Sequence, residues 1–209
     1  MVSICPVEED ECIEYAAETV SRGGVIIYPT DTVYGIGGDP FNISTVSRVL
    51  HLKKRVRRPF PILVSDTDYA FKLIYYNDVV GELARRYWPG ALTIVSRARV
   101  YVPAALGHQS IGVRVPGLGR LRSLIDMAGG YLIGTSANVT GLSPARTVSE
   151  AVLYFGDSID LYLDGGLANG SPSTVVEVGD GYIRVLRKGL LDTGLIRDLC
   201  MDMGLDYYE

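Results

Sequence analysis

The chain contains 209 residues, with 20 lysines and arginines against 24 aspartates and glutamates, for a net charge of −4. Because 47% of its residues are hydrophobic, it can bury a core, which excludes wholesale disorder and predicts a single domain over residues 1–209. The acidic balance, with a pI near 5.3, excludes a protein that binds nucleic acid over its whole surface.

The predicted elements alternate between short apolar strands and amphipathic helices, which indicates an α/β domain with a mixed, twisted sheet. Strands are predicted at 24–28, 61–65, 91–96, 111–115, 131–136 and 161–163. Helices are predicted at 44–54, 78–87, 118–128 and 147–155. Two alternating runs, 174–178 and 182–186, flank a Gly-Asp-Gly turn and predict a hairpin. The tail from Asp192 is weakly helical.

The ends of the chain and its cysteines predict a soluble, cytoplasmic protein with no membrane partner. The N-terminus is acidic where a signal peptide would be basic, and no apolar run approaches the ~20 residues of a spanning helix. The three cysteines form no Cys-x-x-Cys pair, which predicts neither a disulfide framework nor structural zinc and fits a reducing compartment. The only histidines, His51 and His108, leave little material for a metal site or a Ser-His-Asp triad.

A polar, glycine-bearing segment, 29–38, follows the first predicted strand. Ligands of open α/β sheets bind beyond the carboxyl ends of strands, so the hydroxyls of Thr32 and Tyr34 are candidates to orient a small polar substrate. An ordinary turn is the alternative. A dinucleotide fingerprint is excluded, because Gly35 and Gly37 are followed by Pro40 instead of a third glycine.

A cluster of positive charge comes next in the chain. It comprises Arg48, Lys53, Lys54, Arg55, Arg57 and Arg58. No acidic residue lies between Pro40 and Ser65, so an anionic ligand such as phosphate explains the cluster. The alternative is a solvated helix end, where cations also suit the helix dipole.

A second polar segment, 134–141, follows the strand predicted at 131–136. It lacks the second glycine of a nucleophile elbow, which argues against serine hydrolysis. Ser136, Asn138 and Ser143 are instead candidates to hydrogen-bond a phosphate or a sugar. The chain contains no Walker sequence, so any nucleotide is bound without a P-loop.

Two arginines occupy unusual positions. Arg114 lies within an apolar strand, where a charge is costly unless it is paired. It is either salt-bridged on a wet face or a receptor for a carboxylate. Arg187 closes the predicted hairpin and has the same two interpretations.

These motifs, taken in order, resemble the threonylcarbamoyl-adenylate synthase, or YrdC-like, family over residues 8–189. The segments that carry the resemblance are YPTDTVYGIGGD, LKKR, YWPGALTIV, IGVRVP, GTSAN, STVVEV and LRKG. The resemblance is to the short form of the family, which lacks the extra C-terminal domain of longer members. The fold implied is a twisted, mixed, mostly parallel open sheet with helices and a large concave basic cavity.

The resemblance implies an enzyme that condenses L-threonine, bicarbonate and ATP to threonylcarbamoyl-AMP and pyrophosphate, for the modification of an adenosine in tRNA. It implies a threonine site formed by Thr32, Tyr34, Arg114 and Ser173. It implies a nucleotide site formed by Lys53, Arg55, Arg58, Ser110, Ser136, Asn138, Ser143 and Arg187. Lys53 and Arg55 would be catalytic, and Mg²⁺ would be held mainly by the ATP phosphates, with no protein metal ligands. tRNA or tRNA-modification proteins are candidate partners.

Two alternatives stay open at this point. One is a paralogue that makes a different carbamoyl-adenylate. The other is an RNA-binding module, although RNA readers interleave aromatic and basic residues and the run 48–58 contains no aromatic residue.

Overall fold

The computed structural model describes residues 2–54 and 58–209. Over these residues the chain forms seven α-helices and twelve β-strands. The helices are α1 (Asp10–Ser21), α2 (Ile43–Leu52), α3 (Thr67–Leu73), α4 (Asp78–Tyr87), α5 (Gly119–Met127), α6 (Val148–Phe155) and α7 (Thr193–Met203). The strands are β1 (Ile4–Pro6), β2 (Ile26–Tyr28), β3 (Gly35–Gly37), β4 (Ile62–Val64), β5 (Leu92–Arg97), β6 (Ser110–Arg114), β7 (Tyr131–Ile133), β8 (Thr135–Ser136), β9 (Leu161–Asp164), β10 (Thr174–Gly179), β11 (Tyr182–Arg187) and β12 (Asp206–Tyr208).

The strands form two mixed sheets. The five-stranded sheet has the order β1-β9-β2-β3-β8, and the seven-stranded sheet has the order β12-β11-β10-β5-β6-β4-β7. The α/β class and the mixed pairing are confirmed. The described strands differ from a mostly parallel sheet in one respect, because five of their pairings are parallel and five are antiparallel.

Side-chain alternation along the strands places apolar cores on both faces of the sheets. On β2, Ile27 belongs to the larger core, whereas Ile26 and Tyr28 belong to the smaller one. On β4, Leu63 likewise faces the smaller core. Helices α1 and α5 cover that smaller core, and their buried faces pack on each other. The layered arrangement leaves the junction between the two sheets lined by strand ends and loops.

Polar residues at the helix starts explain where several helices begin. The side chains of these N-cap residues accept hydrogen bonds from the first free backbone N–H groups of the helix. They are Asn42, Asp66, Asn77, Thr147 and Asp192. The predicted helix at 78–87 matches α4 in both of its ends, because it lies between the Asn77 cap and Trp88-Pro89.

The structure contains elements that the sequence pattern did not predict, namely β1, α1, β3, α3 and β12. It also contains a disulfide between Cys5 and Cys12, where no disulfide framework was predicted. These cysteines are only seven residues apart, but β1 turns directly into α1, so their Cα atoms lie 5.7 Å apart. In the described ranges, no helix combines the length and apolar character needed to cross a membrane.

Asp160 joins three parts of the fold. Its carboxylate accepts hydrogen bonds from the backbone N–H of Val25, at 2.7 Å, and from the guanidinium of Arg48, at 2.6 and 3.1 Å. Partial burial alone would raise the pKa of Asp160, but the bonds from Arg48 and Val25 outweigh burial and lower it. The ionised carboxylate therefore stabilises the folded state.

Replacing Asp160 by Asn is expected to lower the free energy of unfolding at pH 7 by about 0.5–1 kcal/mol, because the ion pair is partly exposed. A carboxyl group whose pKa is lowered by folding stabilises the folded state at pH values above its unfolded-state pKa of ~3.9. This stabilisation is lost as the pH falls through the folded-state pKa. The difference between the two proteins in urea unfolding should therefore shrink below about pH 4. Asp180→Asn, at the exposed hairpin turn, is the control. A difference that is constant with pH would contradict the assignment.

Candidate active site

A cavity of about 130 Å³ lies at the junction of the two sheets. Its walls come from the segment after β2, from strands β4, β5, β6 and β8, and from Arg187 at the end of β11. Six residues that the sequence singled out line it: Thr32, Tyr34, Arg114, Ser136, Ser173 and Arg187. The described lining includes two arginines and no carboxylate, which favours an anionic or carboxylate-bearing ligand.

Arg114 provides the buried charge of this cavity. Its side chain is 6% exposed. Nη2 donates to Asp31 Oδ1 at 2.6 Å, Nη1 donates to Thr32 Oγ1 at 3.0 Å, and Nε donates to the carbonyl of Gly90 at 2.8 Å. Burial lowers the pKa of Arg114, and the adjacent Asp31 carboxylate opposes that shift. The guanidinium is thus salt-bridged, but it is buried in the cavity wall instead of lying on a wet face. That it receives a carboxylate stays a prediction.

The polar segment after β2 is held in one conformation by its own hydroxyls. Thr30 Oγ1 lies 2.9 Å from Thr32 Oγ1, donates to the carbonyl of Val33 and accepts from the backbone N–H of Thr32. Strand β3 follows within the glycine-bearing stretch. A side chain at Gly35 would overlap the ring of Tyr28, because its Cβ would lie 2.3 Å from Tyr28 Cε2. The close approach of β3 to β2 therefore requires glycine here.

Tyr34 is fully buried as a residue, and its hydroxyl contacts the loop after β9. That hydroxyl donates to the carbonyl of Gly166 at 2.8 Å and accepts from the N–H of Gly165 at 3.0 Å. Burial raises the pKa of Tyr34 to about 12, so the side chain is neutral at physiological pH. Tyr34 therefore acts as a neutral hydrogen-bonding group that fixes the cavity wall, and not as a base.

The opposite wall is formed by a hydroxyl pair and an arginine. Ser173 Oγ lies 2.9 Å from Thr93 Oγ1, and both residues are buried. Arg187 donates from Nη2 to Ser173 Oγ at 3.0 Å and from Nε and Nη2 to the Ser173 carbonyl. Arg187 thereby ties the hairpin to the cavity while the residue itself remains exposed.

Lys53 connects the basic run to the segment 134–141. It is 3% exposed, and its ammonium donates to the carbonyl of Ser136, to the carbonyl of Asn138 at 2.9 Å and to Asn138 Oδ1 at 3.2 Å. Ser136 Oγ donates to the same Oδ1 at 2.6 Å. In return, the backbone N–H of Thr140 donates to the Lys53 carbonyl. The two motifs therefore form one hydrogen-bonded unit that borders the cavity at Ser136.

The remaining predicted residues lie apart from the described lining. Arg58 and Ser143 are exposed, and the Ser143 carbonyl accepts from the hydroxyl of Tyr154. Ser110 begins β6, four positions before Arg114, and pairs with Arg97. Arg55 lies outside the described residues.

Sequence reasoning missed Asp31, Thr93 and Tyr28. Asp31 accepts from both Arg114 and the backbone N–H of Gly117. The available signal was its position between Thr30 and Thr32 in the polar segment 29–38. Its partner, Arg114, lies 83 positions away in the sequence. Tyr28, inside an apolar strand, donates its buried hydroxyl to the carbonyl of Ile133.

The donor set of the described residues does not fit a protein-held metal ion. Among them, no three histidine, cysteine, aspartate or glutamate side chains form a group that could ligate one.

Comparisons with known proteins identify the family of this chain. The Sua5/YciO/YrdC family model, described as telomere recombination, matches residues 18–189. The chain belongs to this family. A relative from Marinobacter nauticus, named threonylcarbamoyl-AMP synthase, is 38% identical over 79% of this chain and 90% of its own length. One of the same name from Idiomarina loihiensis is 38% identical over 74% of this chain and 88% of its own length.

Solved structures show the same fold. A crystal structure of P. abyssi Sua5 complexed with L-threonine superposes with a TM-score of 0.90 at 26% identity. It matches all of this chain, which spans 62% of the length of that protein. The structure of E. coli YciO, 24% identical, superposes with a TM-score of 0.82 over 92% of this chain and 96% of its own length.

Replacing Lys53 by Met is expected to lower the free energy of unfolding by about 2–3 kcal/mol, because the substitution removes the charged donor that bonds the carbonyls of Ser136 and Asn138. The same substitution at the neighbouring Lys54, which is exposed, is the matched control and should change stability by less than about 0.5 kcal/mol. Urea unfolding of the three proteins measures both effects. Equal stability of the two variants would show that the Lys53 unit contributes nothing to the fold.

Proposed function

We propose that this protein is an L-threonylcarbamoyladenylate synthase, a nucleotidyltransferase that condenses L-threonine, bicarbonate and ATP into threonylcarbamoyl-AMP and pyrophosphate. The names of the relatives, which are 38% identical over most of the chain, support the activity. The observation that carries the proposal is the guanidinium of Arg114, held at three nitrogens in the wall of a small cavity whose described lining contains no carboxylate.

The threonine site in this proposal is built around that guanidinium. Arginine has five N–H donors, and the bonds to Asp31, Thr32 and Gly90 use one on each nitrogen. One N–H on Nη1 and one on Nη2 are then available for a substrate carboxylate. Thr32, Tyr34 and Ser173 complete the site, because their side chains line the same cavity.

The nucleotide site extends from Ser136 toward the basic run. Lys53 and Arg55 are the proposed catalytic cations, and Arg58, Ser110, Ser136, Asn138, Ser143 and Arg187 are the proposed nucleotide contacts. The hydrogen bonds between Lys53, Ser136 and Asn138 support a shared site for these three. Phosphate binding by Lys53 would replace at least one of its carbonyl acceptors, since an ammonium group has three donors.

The chemistry requires positioning and charge neutralisation and no side-chain nucleophile. The amine of threonine and bicarbonate form a carbamate with loss of water. A carbamate oxygen then attacks the α-phosphorus of ATP. The bond from the α-phosphorus to the α,β-bridging oxygen breaks, and the β- and γ-phosphates leave as pyrophosphate. Mg²⁺ accompanies the ATP phosphates in this proposal, and no step depends on a protein ligand to it.

The proposed biological role is to supply the threonylcarbamoyl group for an adenosine in tRNA, with tRNA or tRNA-modification proteins as partners. We also propose that residues 1–209 form one catalytic domain and that the protein acts in the cytoplasm. The match of the family model across 18–189 supports the first of these.

Pyrophosphate release tests the activity and the role of Arg114 together. The wild-type protein should release pyrophosphate only when threonine, bicarbonate and ATP are all present. Arg114→Met should raise the KM for threonine at least about thirtyfold, equivalent to ~2 kcal/mol or more for a charged partner left alone, with a much smaller effect on the KM for ATP.

The double variant Arg114→Met/Asp31→Asn removes the unpaired carboxylate that the single variant leaves behind. It should recover stability relative to Arg114→Met but not affinity for threonine. Release without added threonine would contradict the synthase assignment. Release that is faster with another amino acid would favour the paralogue. An unchanged threonine KM in a folded Arg114 variant would contradict the site.

A further inference from the structure

A basic and aromatic surface lies at the end of β5, beyond the part of the strand that lines the cavity. We call it the Tyr75–Arg97 patch and define it by Lys72, Tyr75, Tyr76, Arg97, Arg99 and Tyr101. Two segments distant in sequence form it by backbone pairing. Ile74 and Ala98 form an antiparallel bridge. The N–H of Tyr75 donates to the carbonyl of Arg97 at 2.9 Å, and the N–H of Arg99 donates to the carbonyl of Leu73 at 2.8 Å.

The patch is exposed and positively charged in an acidic protein. Tyr75, Tyr76 and Tyr101 are 51%, 55% and 78% exposed. All three cations of the patch are exposed, and in the ranges 2–54 and 58–209 none of them forms an ion pair. Segments 69–77 and 97–109 contain no acidic residue, although the chain has 24. The flanking carboxylates, Asp68 and Asp78, leave the local charge positive.

The rings and cations of the patch are already positioned. The guanidinium of Arg97 lies 5.3 Å from the ring centroid of Tyr75, so it covers one side of that ring. Tyr76 packs edge-on against Phe71 at 4.8 Å. Arg99 Nη1 donates to the carbonyl of Phe71 at 2.7 Å, which places its charge between the two segments. Little side-chain entropy therefore remains to be lost when a flat ligand stacks here.

We propose that the Tyr75–Arg97 patch binds single-stranded RNA. Exposed aromatic rings stack on unpaired bases, and lysine and arginine contact the phosphates between them. An acidic protein partner would use the cations but has no need of three exposed tyrosines. Gln109, whose carbonyl accepts from the N–H of Ala98, is exposed beside the patch and offers an amide for the ribose 2′-hydroxyl.

The patch lies away from the described cavity lining. Thr93 lines the cavity, and Arg97 ends the same strand four positions later, about 13 Å away at ~3.3 Å per residue. Of the proposed nucleotide contacts, Ser110 is the neighbour of the patch, because it pairs with Arg97. The inference goes beyond the synthase activity and does not depend on it.

Fluorescence anisotropy with a labelled uridylate strand of about twelve nucleotides tests the proposal. The patch variant is Lys72→Gln/Arg97→Gln/Arg99→Gln. Its matched control, Arg22→Gln/Arg184→Gln/Lys188→Gln, removes the same charge from other exposed positions. The patch variant should lower the slope of log affinity against log salt by about 2, because each phosphate contact on a single strand contributes ~0.7. The control should leave this slope unchanged.

The aromatic part of the patch is tested by Tyr75→Ser/Tyr101→Ser, which should weaken binding about fivefold to 150-fold for each stacked base lost. Circular dichroism and pyrophosphate release should be unchanged in these variants. The proposal is overturned if the patch variant and the control variant bind the uridylate strand alike, or if saturating ATP displaces that strand completely. It is also overturned if duplex RNA or single-stranded DNA binds as tightly as the uridylate strand. Binding of an acidic protein to the patch, without binding of RNA, would overturn it as well.

Discussion

The burial of the Arg114 guanidinium is the constraint on which the proposed site depends. Burying a charge in a low-dielectric interior is costly unless the charge is paired and its N–H groups are hydrogen-bonded. The compensation comes from two segments, Asp31 and Thr32 after β2 and the carbonyl of Gly90 before β5, while Arg114 itself lies on β6. Because β2 belongs to one sheet and β5 and β6 to the other, satisfying this one cation also fixes the two sheets against each other.

Other polar contacts reinforce the same junction. The hydroxyl of Tyr28 in the five-stranded sheet bonds the carbonyl of Ile133 in the seven-stranded sheet. Lys53, at the end of α2, bonds Ser136 on β8. The cavity is therefore lined by groups that also stabilise the fold. Substitutions there are expected to affect stability and activity together, so a variant's unfolding free energy has to be measured beside its kinetics.

Elements with strong local signals were predictable from sequence, and elements defined by long-range pairing were not. Helix α4 has a cap, an amphipathic face and a Trp-Pro stop within 13 residues, and its sequence predicts both of its ends. Strand β3 lies in the segment 29–38, for which the sequence predicts a substrate-orienting segment or an ordinary turn. Its glycines serve the close contact with Tyr28, which no local pattern reveals. The disulfide was missed for a similar reason, since the turn between β1 and α1 brings Cys5 and Cys12 together.

The candidate site was predictable where a residue type was out of place. A lone arginine in an apolar strand marked Arg114, but its partner Asp31 carried no such signal. The run 48–58 suggested phosphate binding. The structure adds that Lys53 alone of its described cations is buried, and that it is bonded to the segment 134–141, which sequence spacing cannot show.

Binding of threonine and of L-threoninamide, measured by isothermal titration calorimetry, tests the central claim most directly. The two compounds share the amine and the hydroxyl and differ at the carboxylate that Arg114 is proposed to hold. The account predicts that threonine binds the wild-type protein at least about thirtyfold more tightly than its amide, because only the carboxylate forms charge-assisted hydrogen bonds with Arg114. It further predicts that this preference disappears in Arg114→Met. Equal affinity of the wild-type protein for the two compounds would contradict it.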